Sequence, residues 1–247
     1  MKEKRRKGIS FKVWARHALF TDPLTRVGGE KCSYHVPTYE ALKGIVKSVY
    51  WKPTFIWIID EVRVMKRIRT QTKGTKPIAY SGGNDLAIYT FLTDVEYQVR
   101  AHFEWNEHRP ELESDRNPGK HFAVAQRMLE LGGRQDIFLG TRDCQGYVEP
   151  CEYGAGVGEY DEAGELAYGL MFHGFDYPDE TGEDKLHARF WRPTMVNGVI
   201  RFTPPEECTI RKFVRDMKPK QFVRDENLRA VDLEVAELQL EVGDGLD

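Results

Sequence analysis

Between Val95 and Trp105 the chain alternates without a break, and no other feature limits its fold as strongly. Val95, Tyr97, Val99, Ala101, Phe103 and Trp105 fall on one side, and Glu96, Gln98, Arg100, His102 and Glu104 on the other. A period of two sends successive side chains to opposite faces of a sheet, so this is a long strand with an apolar inner face and a polar outer face. Such a strand needs hydrogen-bonded neighbours and a second layer over its inner face.

The flanking sequence supplies both. Ile9, Phe11, Val13 and Ala15 alternate with polar neighbours and predict a half-buried strand, followed by a loop through Asp22-Pro23 and Gly28-Gly29. Thr38 then opens a helix on which Leu42, Ile45, Val46, Val49 and Tyr50 form one apolar stripe, with Lys43 and Lys47 off it, until Pro53 stops it. Tyr50 ends the stripe with its ring in the core and its hydroxyl at a rim. Thr54 to Met65 reads as a strand, and the polar, Gly-containing stretch from Arg69 to Asp85 as a basic hairpin or loop. A second helix is predicted from about Lys120 to Leu131, ending at Gly132-Gly133, and a strand from Asp136 to Leu139.

This order is β-α-β-β-α-β, so the fold class is α+β with a ferredoxin-like, RRM-like domain. Its span is 1–152, with the basic hairpin inserted near 66–93. Beyond Gly154 the helical signal stops. Leu166 to Phe175, His187 to Arg192, and Thr194–Val196 paired with Val199–Phe202 across Asn197-Gly198 read as a small antiparallel β-sheet domain over 153–210. Residues 211–247 are expected to be an acidic, loosely attached extension with a short amphipathic helix through Val231, Val235 and Leu238.

Charge is uneven. From Phe222 to Asp247 there are two basic and eight acidic residues, which leaves the rest of the chain at +3 against −3 for the whole. A mildly basic body permits nucleic-acid binding through a local patch. Lys2, Lys4, Arg5, Arg6 and Lys7 are followed by no apolar stretch, and no apolar run has the length of a membrane span, so neither a membrane nor secretion is expected. Cys32, Cys144, Cys151 and Cys208 are scattered, as in a reduced cytoplasmic protein.

Chemistry-bearing residues are few. Lys120 and His121 adjoin at the start of the second helix, where free backbone N–H groups and the positive dipole end favour an anion. The same two residues are also read as a solvated helix start, and Tyr50, by pattern, as core. No metal is expected: Cys144 and Cys151 are too far apart for a zinc knuckle, and His173 reads as a core strand histidine. Gly154-Ala155-Gly156-Val157-Gly158 lacks the helix of a dinucleotide site, and no cofactor is expected. Cutting RNA without metal requires deprotonating the 2′-hydroxyl, stabilising the phosphorane and protonating the leaving 5′-oxygen. His suits the proton transfers, Lys the charge, and a Tyr hydroxyl a relay.

Long blocks match a known family. Thr21-Asp22-Pro23-Leu24-Thr25-Arg26-Val27-Gly28-Gly29-Glu30-Lys31, Pro37 to Ile45, and Tyr50-Trp51-Lys52-Pro53-Thr54 resemble the subtype I-C CRISPR-associated endoribonucleases, the d (or c) variety of the Cas-five family in the RAMP superfamily. Ile137 to Cys144 and Met171 to Pro178 extend the resemblance over roughly residues 9–210. It implies a ferredoxin-like domain followed by a small antiparallel sheet. It also implies metal-independent cleavage of precursor CRISPR RNA at the 3′ base of the repeat hairpin, leaving a 2′,3′-cyclic phosphate. The enzyme would then stay on the 5′ handle of the guide RNA, beside the backbone and large subunits of the Cascade complex. The implied catalytic set is Tyr50, Lys120 and His121, with Lys120 stabilising the phosphorane, His121 moving a proton and Tyr50 orienting the 2′-hydroxyl or sharing the relay. Arg26, Lys31, Lys43 and Lys47 are the candidate RNA-binding residues. Two other readings remain at this point: a guide-capping subunit that does not cut, and a duplex-DNA-binding protein.

Overall fold

The computed structural model describes residues 8–78, 80, 82–83, 85–223, 229–233 and 235–236. The chain runs through β1 (Gly8–Ala18), a one-turn helix α1 (Pro23–Arg26), α2 (Tyr39–Val49), β2 (Phe55–Val64), β3 (Thr70–Thr75), β4 (Ala87–Trp105), α3 (Pro118–Glu130), β5 (Ile137–Phe138) and β6 (Gln145–Pro150). It continues through β7 (Glu165–Ala167), β8 (Met171–Asp176), a second one-turn helix α4 (Pro178–Thr181), β9 (Lys185–Trp191), β10 (Thr194–Val196), β11 (Val199–Arg201) and β12 (Ile210–Asp216). The basic run at residues 2–7 and Leu238 of the expected terminal helix lie outside the described residues.

The apolar face of β4 meets the apolar faces of β1 and the helices. Ile9, Phe11, Val13 and Ala15 are buried from β1, and Leu42, Ile45, Val46 and Val49 from α2. Thr38 caps α2 by accepting from the Ala41 N–H at 3.1 Å, and Tyr50 ends it in extended backbone. The central strands lie in the order β6-β1-β4-β2, each pair antiparallel, with α2 packed on β2 and α3 on β1 and β6. The hairpin β3–β4 continues from one end of this sheet. At Asp94 the β4 backbone turns left-handed, with φ at 54°, while the register with β1 is the same on both sides, Ala15 facing Val95 and His17 facing Thr93. A non-glycine residue in that region is uncommon, but the bulge of these strands is in β2, where Ile59 faces Ala101 and Glu61 faces Arg100 and Asp60 is the extra residue.

Three expectations are corrected here. First, residues 153–210 do not all go into a small sheet of their own. β11 pairs with the free edge of β2, and β10 and β7 follow, so among the described residues one sheet has nine strands; β8, β9 and β12 make the separate small antiparallel sheet. An open edge at β2 carries unpaired N–H and C=O groups, and the hairpin satisfies them. Its turn has Asn197 at φ 46° and Gly198 at φ 79°, as a two-residue hairpin turn requires. Second, Leu166 to Phe175 is two strands broken at Gly169, and β12 reaches Asp216, inside the span expected to be an extension. Third, the polar face of β4 is not all outside. Gln98 and His102 are buried, because Gln98 bonds the Gly154 N–H and the Ala155 carbonyl of the crossing loop and His102 pairs with Asp60.

His173 on β8 is fully buried, stacks on Tyr39 with ring centroids 4.3 Å apart and donates from Nε2 to the Thr203 carbonyl at 2.9 Å. Burial, with Arg189 beside it, pushes its pKa down to about 3. The unfolded chain therefore takes up a proton as pH falls below about 6.5 while the folded chain does not, until about pH 3. Stability should fall on acidification through that window, by up to about 1.4 kcal/mol per pH unit from this group. Urea unfolding between pH 7 and pH 4.5 checks it: His173→Gln should show a shallower pH slope than the parent, and equal slopes would contradict the assignment.

Candidate active site

The end of α2 and the start of α3 converge. Asn117 caps α3 by accepting from the Lys120 N–H at 3.2 Å, and Pro118 occupies the first turn. That N–H, expected to be free for an anion, is thus already used. One residue further on, His121 turns into the core and Lys120 turns out: His121 is fully buried, and the Lys120 side chain is 42% exposed.

Tyr50 meets His121 here. Its hydroxyl lies 2.9 Å from His121 Nδ1, and His121 Nε2 lies 2.7 Å from the Asp115 carbonyl oxygen. A carbonyl only accepts, so Nε2 carries the hydrogen, and in the neutral form of the ring the Nδ1 lone pair accepts from the Tyr50 O–H. Asp115 Oδ2 lies 3.6 Å from Nε2 and accepts from Thr54 Oγ1 at 2.7 Å. The rings of Phe55, Phe103 and Trp105 lie 5.1, 6.2 and 5.8 Å from the imidazole. The Tyr50 hydroxyl therefore does not reach a rim as the sequence predicts; it is fully buried. A tyrosine oxygen that gives its proton to a neutral imidazole can take another from a hydroxyl, and the nearby Asp115 carboxylate favours the imidazolium so formed.

The last described residues pack over this site. Lys52 is buried and donates from Nζ to the Arg229 carbonyl. The Val231 N–H donates to Asp115 Oδ1 at 2.7 Å, its side chain is buried, and Asp232 pairs with Lys120. The helix dipole disfavours a lysine at this end, and a carboxylate supplies the anion it needs. The extension is thus docked, not loose, through these residues. Sequence reasoning passed over Lys52, Thr54 and Asp115. Lys52 and Thr54 stand in the block after Tyr50, but nothing in their spacing marks them.

The candidate RNA-binding residues are dispersed. Arg26 is exposed on α1, and Lys31 lies over the Tyr89 ring, 4.9 Å from its centroid. Tyr89 and Trp105 sit near opposite ends of β4, up to about 50 Å apart in extended chain, so Lys31 is far from His121. Lys47 bonds Glu180 at 3.1 Å, close to the Trp51 and Tyr177 rings. Lys43 is corrected: it is 1% exposed and paired with Glu180, so it presents no ammonium to an RNA phosphate. It lies next to the apolar stripe, and α4 brings Glu180 over it.

Comparisons with known proteins bear on these residues. The model of a family described as CRISPR-associated protein (Cas_Cas5) matches residues 8–203. Two curated relatives are each named CRISPR pre-crRNA endoribonuclease Cas5d. That of Thermus thermophilus is 28% identical over 196 residues, 75% of this chain and 80% of its own. That of Mannheimia succiniciproducens is 26% identical over 228 residues, 79% of this chain and 95% of its own. A crystal structure described as a CRISPR-associated protein is 38% identical, covers 83% of this chain and 96% of its own, and superposes with a TM-score of 0.71. Among the described residues, no helix is long and apolar enough to cross a membrane.

Proposed function

The chain belongs to the Cas5 family of CRISPR-associated proteins, and from that premise we propose that it is a pre-crRNA endoribonuclease using Tyr50, Lys120 and His121. The observation that carries the reading is the 2.9 Å hydrogen bond joining Tyr50, at the end of the first long helix, to His121, at the start of the second. Both relatives named as pre-crRNA endoribonucleases support the substrate class.

In the proposed route the RNA 2′-hydroxyl gives its proton to the Tyr50 oxygen as Tyr50 passes its own to His121 Nδ1. The 2′-oxygen attacks phosphorus, and the 5′-oxygen leaves with a proton returned by the same relay or by water. The product is a 2′,3′-cyclic phosphate. Lys120 meets the charge that grows on the phosphorane, a task a metal would otherwise perform. The strand order β6-β1-β4-β2 under two helices supports reading the first unit as ferredoxin-like. Four free cysteines fit a reducing cytoplasm. After cleavage the protein would remain on the 5′ handle of the guide within a Cascade complex.

The test is a repeat-hairpin RNA incubated with the protein in chelator, beside the same RNA carrying a 2′-deoxy sugar at the cut site. Cleavage of the first and not the second is expected. Tight binding without cleavage of either would make the protein a guide-capping subunit. Cleavage that returns only with a divalent metal would overturn the mechanism.

A further inference from the structure

Resting on that reading, we propose that the segment Arg229–Asp232 lies in the track of the RNA strand. The Asp232 carboxylate stands where a backbone phosphate meets Lys120, and Lys52 is a second phosphate contact. Four consecutive residues reach the site by three separate bonds: the Arg229 carbonyl to Lys52, the Val231 N–H to Asp115, and Asp232 to Lys120. Two of these place an oxygen acceptor on a lysine ammonium, which is what a phosphate oxygen does. The segment belongs to a stretch with eight acidic and two basic residues, so it brings negative charge to cations as RNA would.

Its hold suits a displaceable occupant. The Lys120–Asp232 pair is 42% and 63% exposed, and a pair so open to water is weak and screened by salt. The segment bonds Asp115, which contacts His121, and Tyr50 and His121 are both fully buried in this arrangement, so a 2′-hydroxyl reaches Tyr50 only after groups around them shift. The family match ends at residue 203, which makes this docking a property of the chain outside the matched region. Lys52 is thereby assigned to RNA binding, beside the residues chosen from the sequence.

Hydrogen exchange at the Val231 amide tests the proposal in the full-length chain. It should be protected in the free protein and lose protection when a 2′-deoxy, uncleavable hairpin RNA saturates the site. Asp232→Lys should tighten RNA binding at low salt by about fivefold, Asp232→Asn by less, and the gain should vanish near 1 M salt. Lys52→Gln should weaken binding. A Val231 amide that stays protected with RNA bound would overturn the proposal, as would an Asp232→Lys chain with parental affinity. Neither readout needs cleavage: a chain that binds without cutting would sink the endoribonuclease reading alone, and one that cuts with Val231 protected would sink this one alone.

Discussion

His121→Ala is expected to lower the cleavage rate at least about a hundredfold while hairpin binding persists, because the imidazole lies 2.9 Å from the Tyr50 hydroxyl, where it can take the proton. The substitution also removes a fully buried ring. The cavity, and the loss of a partner for both the Tyr50 hydroxyl and the Asp115 carbonyl, should cost about 2–4 kcal/mol of stability. A fall in rate could then reflect unfolding, so rates belong well below the variant's melting temperature, beside RNA affinity. Free imidazole gives a sharper control. If it enters the vacated space and restores part of the rate, the lost group was chemical and not a wedge. A variant that cleaves at the parental rate would remove His121 from the mechanism.

Lys43→Ala is expected to cost about 3 kcal/mol or more of stability and to leave RNA affinity within about twofold where the chain is folded. Burial pulls the Lys43 ammonium below its ordinary pKa. Against burial, which pushes it up, Lys43 and then Lys47 hold the Glu180 carboxyl below its own. Losing Lys43 strands a carboxylate that is largely out of water, with Lys47 as partial compensation. Replacing both partners, as Lys43→Met with Glu180→Leu, should recover most of the loss, since two matched apolar groups need no solvation. Chemical denaturation and hairpin titration separate this from a phosphate contact, which would lose affinity and keep stability.

Lys43 also marks the limit of reading the sequence. Spacing placed Leu42, Ile45, Val46 and Val49 inside correctly, because a helix repeats its faces every 3.6 residues. It could not foresee that α4, more than a hundred residues later, would lay Glu180 against the neighbouring position. Period two assigned the faces of β4, yet a face is covered only if something crosses it, and the loop at 154–155 that seals Gln98 carries no periodic signal. Tyr50 and His121 each stand out in the sequence, but their contact needs two helix ends that are seventy-one residues apart in the chain. Asp115 is a polar residue in a polar loop until α3 and the terminal segment close on it.

The single register that β4 keeps with β1, straight past Asp94, has a bearing on how such chains diverge. Strand β4 serves two masters: before Asp94 it forms one arm of the hairpin with β3, and after it the strand lies between β1 and β2 and ends beside His121. In an unbroken strand, one inserted residue would flip every later side chain to the other face. A change of length between β3 and β4 is instead absorbed in the turn that joins them, because β4 is held in one register by β1. Descendants can therefore lengthen or shorten the turn of the hairpin while Val95 to Trp105 keep their register, so the tip is free to drift at a pace the end beside His121 cannot share.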